Sequence, residues 1–583
     1  MLETRPIAED TTPLEKEQSL LSMCLLALIV GAIGGIGAWA FRLLIGLLHN
    51  LLFLQEAQLA YDANQHTSVN PWGMGIILVP VAGAVVVTWL VKTFAPEAKG
   101  HGVPEVIDAI HYHGGTIRPV VAIVKSIASA VCIGSGGSVG REGPIIQIGS
   151  AFGSTVGQLL HIPARQRITL VAAGAAAGIA ATFNAPLGGI VFAIELLLVS
   201  INVRTLLPVS IATVTATYFG EALLGTHPAF DLEVLRTTDF QLQSPWLMMS
   251  FIPFGLLMGL ASILFVKGIY WAEDAFDAMP GNEYTRHCSG MLLVGIILFA
   301  MFHVNGKYFV EGIGYSTIMD VLASRLTDPG FLLFLCVLKL ITTFLTIGSG
   351  GSGGVFSPAM FVGATLGASF GLTVHMIVPG FPIDVVMFAL AGMAAMIGAS
   401  TGAIVTASVM LNEMTDDVNI IMPVIITSVI ACAVRKLISP SSIYTLKLIR
   451  RGHIVPEGLQ AALDDARNVA HLMSTNYQIV ADDESDPIPS STKVTILGRD
   501  GEIKRLVDPL VPVVQQSADT PVSWVMVRPG DSLVSTLRKM HLAGVSIAVV
   551  TSTPESSSVD NVVGVLTPRE LHLYRTELAE LFE

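Results

Sequence analysis

Two stretches of the sequence, 214 positions apart, share an unusual pattern of glycine, serine and proline. Residues 133–153 read IGSGGSVGREGPIIQIGSAFG, and residues 347–367 read IGSGGSGGVFSPAMFVGATLG. Upstream of the first stretch, Lys125 recurs as Lys339 at the same offset. Repetition at a long fixed interval indicates that a chain contains related structural units. The sequence therefore predicts a fold built from two similar halves.

The composition places this repeat in a membrane. Of the 583 residues, 52% are hydrophobic and only 13% are charged, which no soluble domain of this size matches. Apolar stretches recur between residues 21 and 438. Some exceed the ~20 residues that cross a bilayer, and others are shorter. Short helices that end inside a membrane leave backbone polar groups available to a ligand, so the interrupted, duplicated segments indicate a transport pathway between the two halves.

The repeated segment has the pattern of residues that is typical of a helix start. Its glycines permit a sharp turn, and Pro144 suits a first helical turn, where its missing N–H costs nothing. The second copy has the apolar Val355 and Phe356 where the first has Arg141 and Glu142. Two helix N-termini at one spot favour an anion without a full positive charge, and such binding is weak enough to permit release.

Glu142 admits two interpretations. A carboxylate inside a membrane is costly and needs a reason to be there. As an anion, Glu142 could occupy the site of the transported anion and leave it when protonated, which would make it a pH-dependent gate. The alternative is that Glu142 only caps its own helix, a common use of glutamate in a first turn.

Four motifs carry a family resemblance: GREGP at 140–144, the helix AAGAAAGIAATFNAPLGGIVFAIE at 172–195, GVFSP at 354–358 and SIYTLKL at 442–448. In this order, over residues 20–450, the chain resembles the CLC family of chloride channels and chloride/proton antiporters. The resemblance implies an all-α polytopic membrane protein with two inverted repeats of tilted, partly broken helices. It also implies a homodimer in which each subunit has its own pathway for chloride or a similar small anion.

The resemblance assigns roles to individual residues. Glu142 would be the external gating glutamate, and the backbone amides of Val355 and Phe356 would bind the central anion. The hydroxyl of Tyr444 would donate to the same anion. A buried tyrosine is otherwise most often an anchor at an interface.

One departure from the family pattern affects the anion. The GSGIP-type segment of the family reads GHGVP at 100–104, so His101 stands where a serine hydroxyl usually coordinates the anion, next to Gly102. A neutral imidazole donates one N–H, and a protonated one carries charge. We therefore expect His101 and Gly102 to be anion-binding residues and His101 to alter selectivity; the alternative is a structural histidine.

A second departure affects proton coupling. Many coupled members carry two glutamates at the end of the FNAPL helix, where this chain has Glu195 followed by Leu196, which cannot relay a proton. A neighbouring acidic position is the apolar Ile107. These losses predict passive or weakly proton-coupled transport, with a chloride/proton antiporter that uses a non-standard inner path as the alternative. Glu195 recurs as Glu413, which indicates a structural helix-end role for both.

After about residue 450 the composition becomes polar and acidic, which marks a domain boundary. We expect strands at 493–501 and 545–550 and an amphipathic helix at 532–544. The predicted organisation is a cytoplasmic segment 1–19, a transmembrane domain 20–450 with halves of about 20–225 and 245–450, a linker 451–492, and a degenerate CBS-like α/β domain 493–583.

The tail resembles one preserved CBS module preceded by a truncated one around 468–513. Glu570 stands where such modules place the aspartate that binds a ribose, so we expect no cofactor and a structural or dimer-supporting tail; binding of an adenine nucleotide is the alternative. The five scattered cysteines lack metal-ligand spacing and predict neither a metal site nor a disulfide.

Other functions are disfavoured by the residues present. The glycine loop lacks the GK[ST] of a phosphate-binding loop, and nothing orients a base toward Ser135 for an intramembrane hydrolase. A non-transporting membrane sensor remains a third class. We expect no enzyme activity, no nucleic-acid partner, and a bacterial inner-membrane location with both termini cytoplasmic, because Lys447, Arg450 and Arg451 flank the last apolar segment.

Overall fold

Helices of very different length follow one another from Leu20 to Arg450 in the computed structural model. The structure describes residues 17–225, 245–379, 383–415, 420–453, 455, 469–481, 494–499, 501–507, 524–531, 533–552 and 558–570. They divide into two compact units, the first ending at Leu459 and the second beginning at Gln460. Most of the predicted segment 1–19, much of the predicted linker 451–492 and parts of the predicted domain 493–583 lie outside the described residues.

The membrane unit consists of two series of helices in the same order. The first series is α1 (Leu20–His49), α2 (Val79–Phe94), α3 (Val103–Tyr112), α4 (Val120–Gly134), α5 (Glu142–Leu159), α6 (Ala164–Phe183), α7 (Pro186–Phe192) and α8 (Val203–Leu224). The second is α9 (Pro245–Asp277), α10 (Glu283–Asn305), α11 (Tyr315–Leu322), α12 (Pro329–Gly348), α13 (Phe356–Ile377), α14 (Val385–Thr401), α15 (Ile404–Thr415) and α16 (Ile421–Ile438), and α17 (Ile443–Arg450) follows it. Each helix of the first series thus has a counterpart eight elements later.

Long and short helices alternate as the apolar pattern predicted. In the described part of the chain, nine helical segments have the length and composition to cross a membrane. Others are too short, such as α3 with 10 residues and α11 with 8. Large apolar side chains such as Leu25, Trp89 and Leu256 are exposed on the long helices. Such exposure suits contact with lipid, since a bilayer solvates apolar surface.

The two halves pack their central helices in the same way. Gly149 of α5 lies against Gly174 of α6, and Gly363 of α13 lies against Gly392 of α14. A Cβ atom on any of these glycines would overlap a backbone oxygen of the facing helix. Small residues let membrane helices approach closely, and the equivalent contacts confirm the predicted repeat at the level of packing.

The second unit contains two small sheets built on one plan. The first joins β1 (Tyr477–Ala481), β2 (Val494–Arg499) and β3 (Glu502–Val507); the second joins β4 (Trp524–Val527), β5 (Ile547–Thr551) and β6 (Val562–Leu566), with α18 (Leu533–Leu542) between β4 and β5. In each sheet the first pair of strands is parallel and the second pair is antiparallel. This plan is consistent with a CBS-like domain.

The tail confirms three predicted elements and corrects one expectation. The strand expected at 493–501 is β2, that at 545–550 is β5, and the helix at 532–544 is α18. However, β1 lies inside the range predicted to be linker, because its five residues are surrounded by acidic and Ser-rich sequence that hides a short strand. The region expected to hold the truncated module contains a sheet of three strands.

Within the tail, the side chain of Glu570 forms hydrogen bonds with the nearby Thr567. Its carboxylate accepts hydrogen bonds from the backbone N–H of Thr567, at 3.0 Å, and from the hydroxyl of the same residue. The core of this unit is shared between the two sheets, with Ile496 of β2 packed in one cluster with Ile547 and Val549 of β5.

Candidate functional site

The two glycine-rich loops of the repeat contact each other directly. Gly140 and Gly354 exchange two backbone hydrogen bonds, with N to O distances of 2.7 Å and 2.6 Å. The loop before α3 joins them, because Gly100 donates to the carbonyl of Gly351 at 3.0 Å and accepts from Gly353 at 3.2 Å. These bonds bring the starts of α3, α5 and α13 to one place.

A buried lysine holds the loop before a short helix in each half. Lys125 donates to the carbonyls of Ala98 and Gly100, at 3.0 Å and 2.7 Å. Lys339 makes the equivalent bonds to Val310 at 3.1 Å and Gly312 at 2.8 Å. Both ammonium groups belong to fully buried side chains. Because each Nζ donates to two carbonyl oxygens of one loop, each lysine fixes the backbone that leads into a helix start.

These loops lead to matching helix starts. The start of α11 was not predicted from the sequence. Gly102 caps α3 with φ of +85°, and Gly314 caps α11 with φ of +84°. Positive φ values favour glycine, which has no Cβ. The signal was present in the sequence as Gly100-His-Gly102 against Gly312-Ile-Gly314, repeated at 212 positions rather than 214. The starts of α3, α5, α11 and α13 therefore all belong to the site.

The residues predicted to bind the anion are all buried. His101, Glu142, Val355, Phe356 and Tyr444 each expose 4% or less of their surface. The rings of His101 and Tyr444 lie 5.9 Å apart. The start of α5 packs on the His101–Gly102 turn, since a Cβ on Gly102 would come within 3.0 Å of the Gly143 carbonyl. The structure thus gathers residues from distant parts of the sequence at one buried location.

His101 has one ring nitrogen near a partner and one without. Its Nε2 lies 3.4 Å from the hydroxyl of Tyr270, which donates to the carbonyl of Ile443 at 2.5 Å. Its buried Nδ1 has no hydrogen-bond partner among the described residues. A buried polar atom without a partner is costly, so this nitrogen is suited to a ligand that supplies one.

Glu142 is the first residue of α5 but does not cap it. No side-chain hydrogen bond caps this helix, whose N-cap residue is Arg141. Instead, the Glu142 Oε1 atom accepts hydrogen bonds from the hydroxyls of Tyr315 and Ser357, both at 2.5 Å. Its Oε2 atom, also buried, has no partner in the described part of the chain. The contacts differ from the capping interpretation and place a carboxylate among donors from the second half.

The carboxylates of Glu195 and Glu413 do have a helix-end role, as predicted. Glu195 accepts from the backbone N–H groups of Val405, at 3.2 Å, and Thr406, at 2.8 Å, at the start of α15. Glu413 accepts from Leu187, at 2.9 Å, and Gly188 at the start of α7. Each half thus supplies an anion to the positive end of a helix in the other.

Leu196 lies beside α3. It belongs to the π-helical segment Ala193–Leu197 that continues α7 and packs against α3. Helix α3 also carries Ile107, which is 3% exposed. Both positions singled out as departures from the proton-relay pattern are therefore apolar residues on neighbouring elements.

Charged residues cluster at the end of the membrane unit nearest α17. Glu105 of α3 forms ion pairs with Lys447, at 3.2 Å, and Arg451, at 2.7 Å. On the same helix, Asp108 lies 2.5 Å from His453. These pairs join α3 to the last helix and the residues that follow it. They therefore hold α3 in place, and with it the preceding turn that carries His101.

Comparisons with known proteins agree on one family. A family model described as "Voltage gated chloride channel" matches residues 83–436. The H(+)/Cl(-) exchange transporter ClcA of Vibrio campbellii is 33% identical over 443 residues, which cover 74% of this chain and 89% of the relative.

Two solved structures share the fold. A slow cyanobacterial Cl-/H+ antiporter matches with a TM-score of 0.64 and 24% identity, over 75% of this chain and 99% of the other. A eukaryotic CLC transporter matches with a TM-score of 0.62 and 19% identity, over 94% of this chain and 98% of the other. At these sequence identities, the structural similarity establishes a shared fold and nothing more.

Proposed function

The chain belongs to the voltage-gated chloride channel (CLC) family of multi-pass membrane proteins, and we propose that it transports chloride or a similar small anion. The observation that carries this proposal is the position of Glu142. Its buried carboxylate lies where the starts of α5, α11 and α13 meet and accepts hydrogen bonds from two hydroxyls. A carboxylate in this position stands in for a transported anion, since both are satisfied by neutral donors.

Glu142 is proposed to act as the gate. While ionised, it occupies the site and excludes other anions. Once protonated, it loses its attraction to the donors and leaves, so that acid pH opens the pathway. His101, Gly102, the amides of Val355 and Phe356, and the Tyr444 hydroxyl are proposed to bind the anion deeper in the pathway.

Proton coupling is proposed to be weak or absent. Leu196 and Ile107 cannot exchange protons, and on α3 Glu105 is already paired with two cations. The alternative is a chloride/proton antiporter with a non-standard inner path. The name of the Vibrio campbellii relative, an exchange transporter, supports that alternative.

The proposed assembly is a homodimer with one pathway per subunit. We further propose that the protein resides in a bacterial inner membrane with cytoplasmic termini, because Lys447, Arg450 and Arg451 lie at the end of the last helix.

The test is reconstitution of the purified full chain in liposomes with an outward chloride gradient. Chloride release and the pH of a weakly buffered external solution are recorded together. We expect chloride flux that rises at acid pH, with little or no proton movement, and we expect Glu142→Gln to remove the dependence on pH. Uphill proton movement that Glu142→Gln abolishes would instead establish the antiporter. Absence of chloride flux would favour a non-transporting sensor.

A further inference from the structure

Two hydroxyl groups outside the predicted anion-binding set converge on the Glu142 carboxylate. Tyr315 is the first residue of α11, and Ser357 is the second residue of α13. Both side chains are buried, with 1% and 0% of their surface exposed. Their oxygens lie 3.3 Å apart, and each donates to the same Oε1 atom. The carboxylate therefore has two donors from the half of the protein that does not contain it.

The Tyr315 hydroxyl is held in place by its surroundings. The guanidinium of Arg141 lies 5.4 Å from the centre of the Tyr315 ring. The preceding Gly314 has no room for a side chain, since a Cβ would lie 2.8 Å from the ring of Phe361. Behind it, Lys339 fixes the loop through two carbonyls. A donor fixed in this way keeps its position when its acceptor changes, which is the requirement for binding different anions in turn.

We infer that the hydroxyls of Tyr315 and Ser357 hold the Glu142 carboxylate in its occluding position and donate to the anion that replaces it. This inference rests on the proposed function and identifies the donors of its outer anion position. Departure of the carboxylate takes one hydrogen bond from each hydroxyl, and an incoming anion restores the two bonds. Because hydroxyls are neutral, they hold a halide less tightly than a cation would and permit its release.

The sign of the pH effect follows from which form of Glu142 these bonds stabilise. Hydroxyl donors stabilise the ionised carboxylate in its occluding position, so loss of one donor should let the pathway open at a less acidic pH. The other titratable or charged groups around Glu142 in the described chain are Arg141 on its own element and Tyr444 on α17. Farther out, Arg42 of α1 and Tyr61 interact with Arg141. The Tyr315→Phe and Ser357→Ala substitutions change neither these charges nor the ring that Arg141 contacts.

The test measures chloride flux in liposomes as a function of pH and of chloride concentration. For Tyr315→Phe we expect the midpoint of activation to move upward by about one pH unit, which corresponds to loss of one charge-assisted hydrogen bond. We expect the half-saturating chloride concentration to rise about tenfold, because the anion loses the same donor. Ser357→Ala should change both quantities in the same direction.

Two further variants make the result specific. Tyr308→Phe removes another buried tyrosine hydroxyl, which Asn70 contacts rather than a carboxylate, and should leave both quantities unchanged. With Glu142→Ala as background, Tyr315→Phe should still raise the half-saturating concentration but should have no effect on pH dependence, since the titrating group is gone.

The outcomes separate this inference from the proposed function. If wild type carries no chloride, or if Glu142→Gln keeps the pH dependence of wild type, the proposed function or its gate is wrong. If Glu142→Gln removes that dependence while Tyr315→Phe behaves as wild type, the gate stands and the inference is overturned. A shifted midpoint with an unchanged half-saturating concentration would overturn donation to the anion.

Discussion

The two halves of the membrane unit share a backbone design and differ in the side chains they bring to the site. In each half a buried lysine fixes a loop, a glycine with positive φ starts a short helix, and a glycine-rich loop starts a long one. The first half adds His101 and Glu142 to these starts, whereas the second half has Ile313 and Phe356 at the corresponding places. The features that the two halves share form the backbone of the site. We assign selectivity and gating to the residues in which the halves differ.

The carboxylates illustrate the same distinction. Glu195 and Glu413 correspond between the halves, and each binds helix-start amides of the other half. Glu142 corresponds to Phe356, and its carboxylate accepts from hydroxyls instead. A repeated carboxylate thus stabilises the fold, and an unrepeated one is available for function.

The largest expected effect comes from breaking the shared backbone design one half at a time. Lys125→Met and Lys339→Met each remove two buried hydrogen bonds that hold a loop, which should cost about 2–3 kcal/mol of stability. Melting temperature in detergent should fall by similar amounts in both variants. Their transport defects should differ: Lys125→Met should change anion affinity through the His101 turn, and Lys339→Met should change pH dependence through Tyr315. Identical transport defects would contradict the division of roles.

A smaller effect is expected from changing His101, a residue in which the halves differ at the anion. His101→Ser replaces a ring nitrogen by a hydroxyl at the turn before α3, and the altered donor should change relative flux of chloride, nitrate and bromide several-fold, or about 1 kcal/mol. Ile313→Val at the corresponding position of the second half is the control and should leave the ratios unchanged. Equal ratios for His101→Ser and wild type would mean that His101 is structural.

The smallest effect should come from the repeated carboxylates. Glu195→Gln and Glu413→Gln each remove a charge from a helix start, which should cost roughly 1 kcal/mol or less. Both should lower the melting temperature slightly and equally, and neither should move the pH midpoint of chloride flux. A moved midpoint in Glu195→Gln would give that residue a part in proton transfer and would favour the antiporter.

The sequence was sufficient to predict the membrane repeat, the helix starts at Glu142 and Phe356, and the structural role of Glu195 and Glu413. The reason is that glycine, proline and charge are informative when they recur at one interval in an apolar chain. It was not sufficient to predict that Tyr315 belongs to the site. Only two glycines mark the start of α11, and the hydrogen-bond partner of a tyrosine depends on tertiary packing. The strand β1 was hidden for a similar reason, since five residues in polar surroundings carry little periodicity.

The central claim is that the Glu142 carboxylate occupies a position that a transported anion takes when the carboxylate leaves. Anomalous diffraction from crystals soaked in bromide tests it directly, with wild type at neutral pH compared with Glu142→Gln. The account predicts a bromide peak within hydrogen-bond distance of the Tyr315 and Ser357 hydroxyls in Glu142→Gln and no peak there in wild type. A wild-type peak beside an undisplaced carboxylate, or an empty position in Glu142→Gln, would contradict it.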